Sequence, residues 1–330
     1  MFNKIIDYIK REYKFIIILI LILFLGLFHL PYNLYVGGGT ISLEKRLDVE
    51  NEYKEKGSFN LSYVTSIRAT IPTYLLSYVF NWDKENINDI KLDENDSARD
   101  IWEREKLYLQ EAIDNAVISA FKAAGEDFTI NKEVLKVLYI DKDSDTSLKG
   151  GDTLISINGV KLKEFNEIKD ILKDFNIGDK VKVSYLRNDK EEDGYFIVRE
   201  MNGEKKAGLY LIKLFDYTTD RKVKVDFNNK EGGPSGGFML SLAIYNRLTP
   251  FDLTKGRKIV GTGTIDSNGN FGEIGGIRHK LSGAVRGKAD IFMVPKENYE
   301  EAIEVKKEKG YNIDIVKVST LLDAIEYLKK

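Results

Sequence analysis

Ten residues, Glu231–Leu240 (EGGPSGGFML), constrain the rest of the chain more than any other stretch. Gly232, Gly233 and Pro234 precede Ser235, and Gly236 and Gly237 follow it. The run Phe238–Tyr245 is then apolar enough for a wholly buried helix, which other elements must surround. The glycines permit positive φ and close approach of another segment, and Pro234 fixes the entry while removing one donor. Ser235 therefore stands where loop becomes helix, with amides and the positive helix end aimed at its hydroxyl. That is a suitable frame for an oxyanion hole. Gly-Pro-Ser-Gly is also an ordinary turn, and taken alone it leaves both readings open.

A second stretch runs from Lys258 to Pro295. The pattern predicts a strand over Lys258–Ile265, a turn at Asp266-Ser267-Asn268-Gly269, a helix opened by Gly275-Gly276 and a strand over Asp290–Val294. A serine nucleophile needs a base, and the chain holds only two histidines, His29 inside an apolar run and His279. Lys280, on the predicted helix, can replace histidine if burial lowers its pKa toward neutrality. A shift of about 3 units costs about 4 kcal/mol, so such a site must be dry.

GGPSGGFM, TGTI, IGGIRHKL and ADIFMVPKEN, in that order, resemble the proteolytic domain of the Lon family of serine peptidases. The similarity covers roughly Lys206–Lys330. It implies a Ser-Lys dyad with Ser235 as nucleophile and Lys280 as general base, and it places Thr262 beside the lysine amine. His279 is then expected as a surface neighbour of Lys280, and the oxyanion donors as amides near Gly233 and Ser235. Gly236 departs from the family's usual alanine after the serine. A rival reading makes the glycine loop a phosphate cradle. The Walker pattern GxxxxGK[ST] is absent, and no acidic cluster of the kind that holds Mg²⁺ accompanies the loop. The expectation is a protease with no cofactor, no metal and no nucleotide, acting without ATP.

Composition adds exclusions. The net charge is −2 with signs interspersed, which gives a nucleic-acid partner no electrostatic support. There is no cysteine, hence no disulfide or thiolate metal site. From Phe15 to Ser42 no residue is charged, and counting to Val36 gives about 22 residues, enough for a bilayer. Lys10, Arg11 and Lys14 lie before this run, and Tyr32 and Tyr35 near its end. The expectation is a single-pass transmembrane anchor over residues 15–36, with the N-terminus cytoplasmic and the rest extracellular. A cleaved signal peptide is disfavoured, since His29–Asn33 offers no small-x-small site.

Residues 37–125 read as a strand-rich segment, notably Ser58–Val64, changing at Asp93 to a helical pattern. A capping box at Ser97 and Asp100 starts a long helix that stops at Gly125 and carries no evident chemistry. Residues 126–200 form a separate module. It has a strand Val134–Ile140, the strand Thr153–Ile157 ending at an Asn158-Gly159 turn, a helix Glu164–Phe175 and a strand from Lys180. GGDTLISINGV and IGDKVKVSYLRN resemble a PDZ domain of the bacterial protease type. That resemblance implies a peptide groove between Val137, Leu138, Tyr139 and Ile140 and the helix with Ile168, with Asn131-Lys132-Glu133 facing the peptide carboxylate. No Gly-Leu-Gly-Phe loop is visible in this stretch, and a spacer without a ligand stays open.

Taken together, the order resembles the membrane-anchored, PDZ-containing Lon-like proteases of Gram-positive bacteria. The expected fold is α+β: a tail and transmembrane helix (1–36), the strand-and-helix segment (37–125), a PDZ-like β-rich module (126–200) and a C-terminal Lon-type proteolytic α/β domain (206–330). Its partner would be a peptide or protein substrate, recruited or gated by the PDZ module at the outer face of the cell membrane. The alternative is a catalytically idle PDZ scaffold. Lon relatives form six-membered rings, but the ATPase that helps build them has no counterpart here, so oligomerisation stays open.

Overall fold

The protein is described by a computed structural model. Residues 2–92, 96–201 and 203–330 are described, 2–9 as backbone only. Asp93, where the sequence pattern changes, lies outside them. The chain divides into two compact units, one from residues up to 38 plus 64–91, the other from 39–63 plus 92–330.

The first unit opens with α1 (Phe2–Leu27) and β1 (His29–Val36). Strands β2 (Thr40–Ser42), β3 (Leu47–Val49) and β4 (Ser58–Ser62) belong to the second unit. The chain then returns with β5 (Thr65–Thr70), α2 (Ile71–Phe80), β6 (Asp83–Asn86) and the short α3 (Ile87–Ile90). β1 lies between β5 and β6, antiparallel to both, with Leu34 fully buried.

This unit corrects the expected anchor. Pro31 pushes Leu30 out of the helical region, so α1 stops at Leu27 and residues 29–36, with Tyr32 and Tyr35, form a strand. The charge-free part of α1, Phe15 to Leu27, spans about 20 Å at 1.5 Å per residue, against a hydrocarbon core of about 30 Å. Lys10, Arg11, Glu12 and Lys14 share the same helix. Among the described residues, no helix is long and apolar enough to cross a membrane. The single-pass reading over residues 15–36 is overturned, and with it the cytoplasmic N-terminus and the extracellular placement of the remainder.

The second unit continues with α4 (Ala98–Ala124). Ser97 Oγ accepts from the Asp100 amide at 3.3 Å, the Asp100 carboxylate accepts from the Ser97 amide at 2.9 Å, and Gly125 at φ 72° ends the helix. The β-rich module follows as β7 (Phe128–Ile140), β8 (Thr153–Ile157), β9 (Val160–Lys161), α5 (Asn166–Leu172), β10 (Lys180–Arg187) and β11 (Lys190–Ile197). Positive φ at Asn158 and Gly159 makes the tight turn between β8 and β9 that the sequence announces. The hairpin β12 (Arg199–Met201) and β13 (Glu204–Lys206) then leads into β14 (Leu209–Thr219). Strand order is β11-β10-β8-β7-β14, over a core that includes Val137, Ile157, Val183 and Phe196.

The remaining elements are β15 (Val223–Val225), α6 (Gly237–Leu248), β16 (Lys258–Gly261), β17 (Thr264–Ile265), β18 (Phe271–Gly272), α7 (Ile277–Arg286), β19 (Ile291–Pro295), α8 (Tyr299–Lys309), β20 (Asp314–Val318) and α9 (Leu321–Lys329). The predicted strand over 258–265 is broken at Thr262-Gly263. Every residue of α6 is buried, as its composition requires. It sits in a core shared with α4, α9 and a five-stranded sheet of order β2-β4-β16-β19-β20. β4 pairs in parallel with β16, so two of the five strands come from residues 40–62, far upstream of the boundary read at Lys206. The β-rich module is thus threaded between α4 and β15 of a fold that begins near residue 40.

Candidate active site

Ser235 occupies the turn immediately before α6 and is half-buried. Two neighbours fix its backbone. The Gly263 amide donates to the Ser235 carbonyl at 2.9 Å, and the Thr262 hydroxyl donates to the same oxygen at 3.2 Å. In return the Phe238 amide donates to the Gly263 carbonyl at 3.2 Å, and the Thr262 amide donates to Met293 of β19 at 3.2 Å. The serine loop is therefore clamped to the end of β16, and the break at Thr262-Gly263 is what frees those groups. Thr262 is wholly buried, and its hydroxyl holds the serine backbone. No hydrogen bond to the Lys280 amine accompanies it among the described residues.

Lys280 lies on the buried face of α7, whose N-cap Gly276 has φ 75°. Ile277 and Leu281 pack with Val260 of β16, two residues before Thr262, so the helix of the lysine and the clamp of the serine share one strand. α7 and α6 also both pack on β4. Lys280 is 6 % exposed, and burial lowers its pKa to about 8. Among the described residues its amine makes no ion pair, and no hydrogen bond joins it to the Ser235 hydroxyl. His279, expected at the surface, is buried at 7 % exposure.

The other wall of the site is α4. The Gly233 amide, at φ 89°, donates to the Glu105 main-chain carbonyl at 2.9 Å. A methyl added at Gly233 would meet Glu105 Oε2 at 2.9 Å, and one at Gly232 would meet the Trp102 ring at 3.3 Å. The loop thus needs glycine at 233 both for its left-handed φ and for contact with the helix. The amide assigned to the oxyanion hole at Gly233 is engaged here, whereas no acceptor occupies the Ser235 amide among the described residues. At the loop's entry, Arg46 pairs with Glu231 at 2.8 Å. Sequence reasoning missed α4 because its reach to Gly233 runs through a backbone carbonyl, which leaves no mark in residue type.

Residues 222–329 match the family model of the Lon protease (S16) C-terminal proteolytic domain. The chain carries a Lon-type proteolytic domain. The domain is that of a serine-type peptidase. The Lon protease of Campylobacter jejuni is 32% identical over 96 residues, and that of Brucella suis is 32% identical over 95 residues. Each alignment covers 29% of this chain and only 12% of the relative. The PDZ domain of an SdrC-like protein from Listeria monocytogenes is similar over 26% of this chain and 90% of its own, at 27% identity and a TM-score of 0.22. The corresponding domain from Listeria innocua covers 24% of this chain and 92% of its own, at 24% identity and a TM-score of 0.23.

The β-rich module places the expected groove residues differently. β7 is an interior strand: Lys136 pairs with Thr153 of β8 and the Val137 amide donates to the Asp152 carbonyl just before it, while β14 pairs along the other edge from Ile140 to Phe128. Val137, Tyr139 and Ile140 are paired with Leu211, Tyr210 and Leu209, Leu138 falls at an irregularity of this register, and Lys132 and Glu133 are paired with Asp216 and Phe215. β14 is the edge strand. Leu209 and Leu211 at its start pack on the same core as Ile168, Ile171 and Phe175, and Gly208 before them has φ 68°. Beyond Lys213 the edge is covered by α4, whose Asp114 carboxylate accepts from the Phe215 amide at 3.0 Å.

Proposed function

We propose that this chain hydrolyses peptide bonds through a Ser235–Lys280 dyad, without nucleotide. The observation that carries the reading is a buried lysine amine with no counter-ion among the described residues, on the helix packed against the strand that clamps the serine. Neutral Lys280 takes the proton from the Ser235 hydroxyl as it attacks a peptide carbonyl. The Ser235 amide donates to the oxyanion, Lys280 returns the proton to the leaving amine, and water then hydrolyses the ester. Thr262 acts one step back, holding the serine backbone.

The reading predicts a pH profile. The base must be neutral, so kcat/KM rises with pH and levels off above about 8. Two units below that pKa the expected rate is about a hundredth of the plateau. A profile flat from pH 6 to 9 on a fluorogenic peptide contradicts Lys280 as base.

We further propose that the β-rich module binds extended peptide as an added strand on the Leu209–Leu211 edge of β14, against α5. Ile168→Asp puts a charge on the apolar wall of that groove. It should raise KM for a long unfolded protein about tenfold more than KM for a short peptide. Equal effects on both substrates exclude recruitment through this edge.

The overall test incubates the chain, without ATP, with an unfolded protein beside its Ser235→Ala and Lys280→Ala versions, and reads fragments by mass spectrometry. Cleavage by wild type alone supports the dyad, and equal cleavage by all three excludes it.

A further inference from the structure

We infer that Glu105, with Trp102 one turn before it on α4, determines specificity at this site by selecting a basic side chain, Lys or Arg, near the scissile bond. This rests on the peptidase reading above. Residues three apart share a helix face, and this face meets the loop two and three residues ahead of the nucleophile, at Gly233 and Gly232.

The argument turns on charges already committed. Arg104, adjacent in sequence, is paired with Asp96 at 2.8 Å, and Lys106 lies 3.6 Å from Glu103. Burial pushes up the carboxyl pKa of Glu105, Glu111 and Asp114 along α4. Asp114 is compensated by bonds from the Phe215 amide and from Gln110 at 2.8 Å, while Glu111 lies in the field of Lys213 and Glu105 in that of Arg104, which Asp96 already holds. The Glu105 carboxylate has neither an ion pair nor a side-chain hydrogen bond among the described residues. Folding has already removed much of its hydration, so a cation delivered by a substrate meets an acceptor that gains more from it than a solvated one would. The Trp102 ring beside it suits the aliphatic stem and charged head of Lys or Arg.

The experiment uses the full chain and a peptide pair differing only in Lys against norleucine beside the cleaved bond. The wild type should favour the Lys peptide in kcat/KM, and Glu105→Gln, nearly isosteric and keeping the carbonyl to Gly233, should reduce that preference about tenfold. Glu105→Lys should invert it toward a Glu peptide. In parallel, Ser235→Ala chain should bind the Lys peptide more tightly than the norleucine peptide, and Ser235→Ala/Glu105→Gln should not. Equal binding of the two peptides by Ser235→Ala chain, or a preference that Glu105→Gln does not move, overturns the inference. Discrimination in binding with no cleavage by wild type supports the inference while refuting the peptidase reading.

Discussion

Ser235→Ala is expected to lower peptide cleavage by about a thousandfold or more, with thermal unfolding unchanged within about 1 °C. The loss follows from chemistry: without the hydroxyl no ester forms, and positioned amides alone give little. The unchanged stability follows from geometry. What holds this residue is its carbonyl, which accepts from Gly263 and Thr262, and alanine keeps that carbonyl. The hydroxyl is half-exposed and makes no hydrogen bond among the described residues, so its removal orphans nothing. Parallel turnover assays and calorimetry decide the matter. An active variant ends the nucleophile assignment, and an unfolded one shows that the serine is structural.

Lys280→Met is expected to abolish cleavage equally and, unlike Ser235→Ala, to stabilise the fold. The folded pKa of Lys280 lies near 8, below its ordinary 10.5, because burial penalises the ammonium. The unfolded chain therefore holds the proton between those two values and the folded chain does not. Wild-type stability then rises with pH from about 8 to about 10.5 and lies on its lower plateau below 8. The plateau deficit is about 3 kcal/mol from the width of the shift. Methionine fills similar space without a charge, so at pH 7 it should recover on the order of 1–3 kcal/mol, or a few degrees in Tm, with the gain fading as pH approaches 10.5. Melting curves at pH 7 and pH 10.5 test the sign. A destabilised Lys280→Met at pH 7 would mean that the amine has an ion partner in the folded chain.

Both predictions use residues that the sequence offered through the resemblance of GGPSGGFM and IGGIRHKL to the Lon proteolytic domain. Local signals were legible on their own. Ser97 with Asp100, Gly125, Asn158-Gly159 and Gly276 each act through a backbone angle or cap that only a few residue types supply. Pairing partners were not legible. Nothing in Ser58–Ser62 says that its neighbour is Lys258–Gly261, and nothing in Leu209–Thr219 says that it closes the edge of β7. The edge of β7 was misread because β14, its partner, follows the last strand read as part of the module. Phe15–Val36 misled for a local reason: hydropathy counts residues without regard to Pro31, which divides the run into a strand and an apolar helical part, Phe15 to Leu27, too short to span a bilayer.

The threading of the β-rich module through the proteolytic fold also orders events during synthesis. β4 leaves the ribosome long before β16, its parallel partner, and α4 long before the wholly buried α6 that it covers. The intervening β-rich module is contiguous and contains its own core, so it can fold while those early pieces wait unpaired. The proteolytic core closes only when the last strands arrive, through contacts of long sequence separation that form slowly. A nascent chain therefore holds a finished β-rich core well before the sheet that joins β4 to β16 can close.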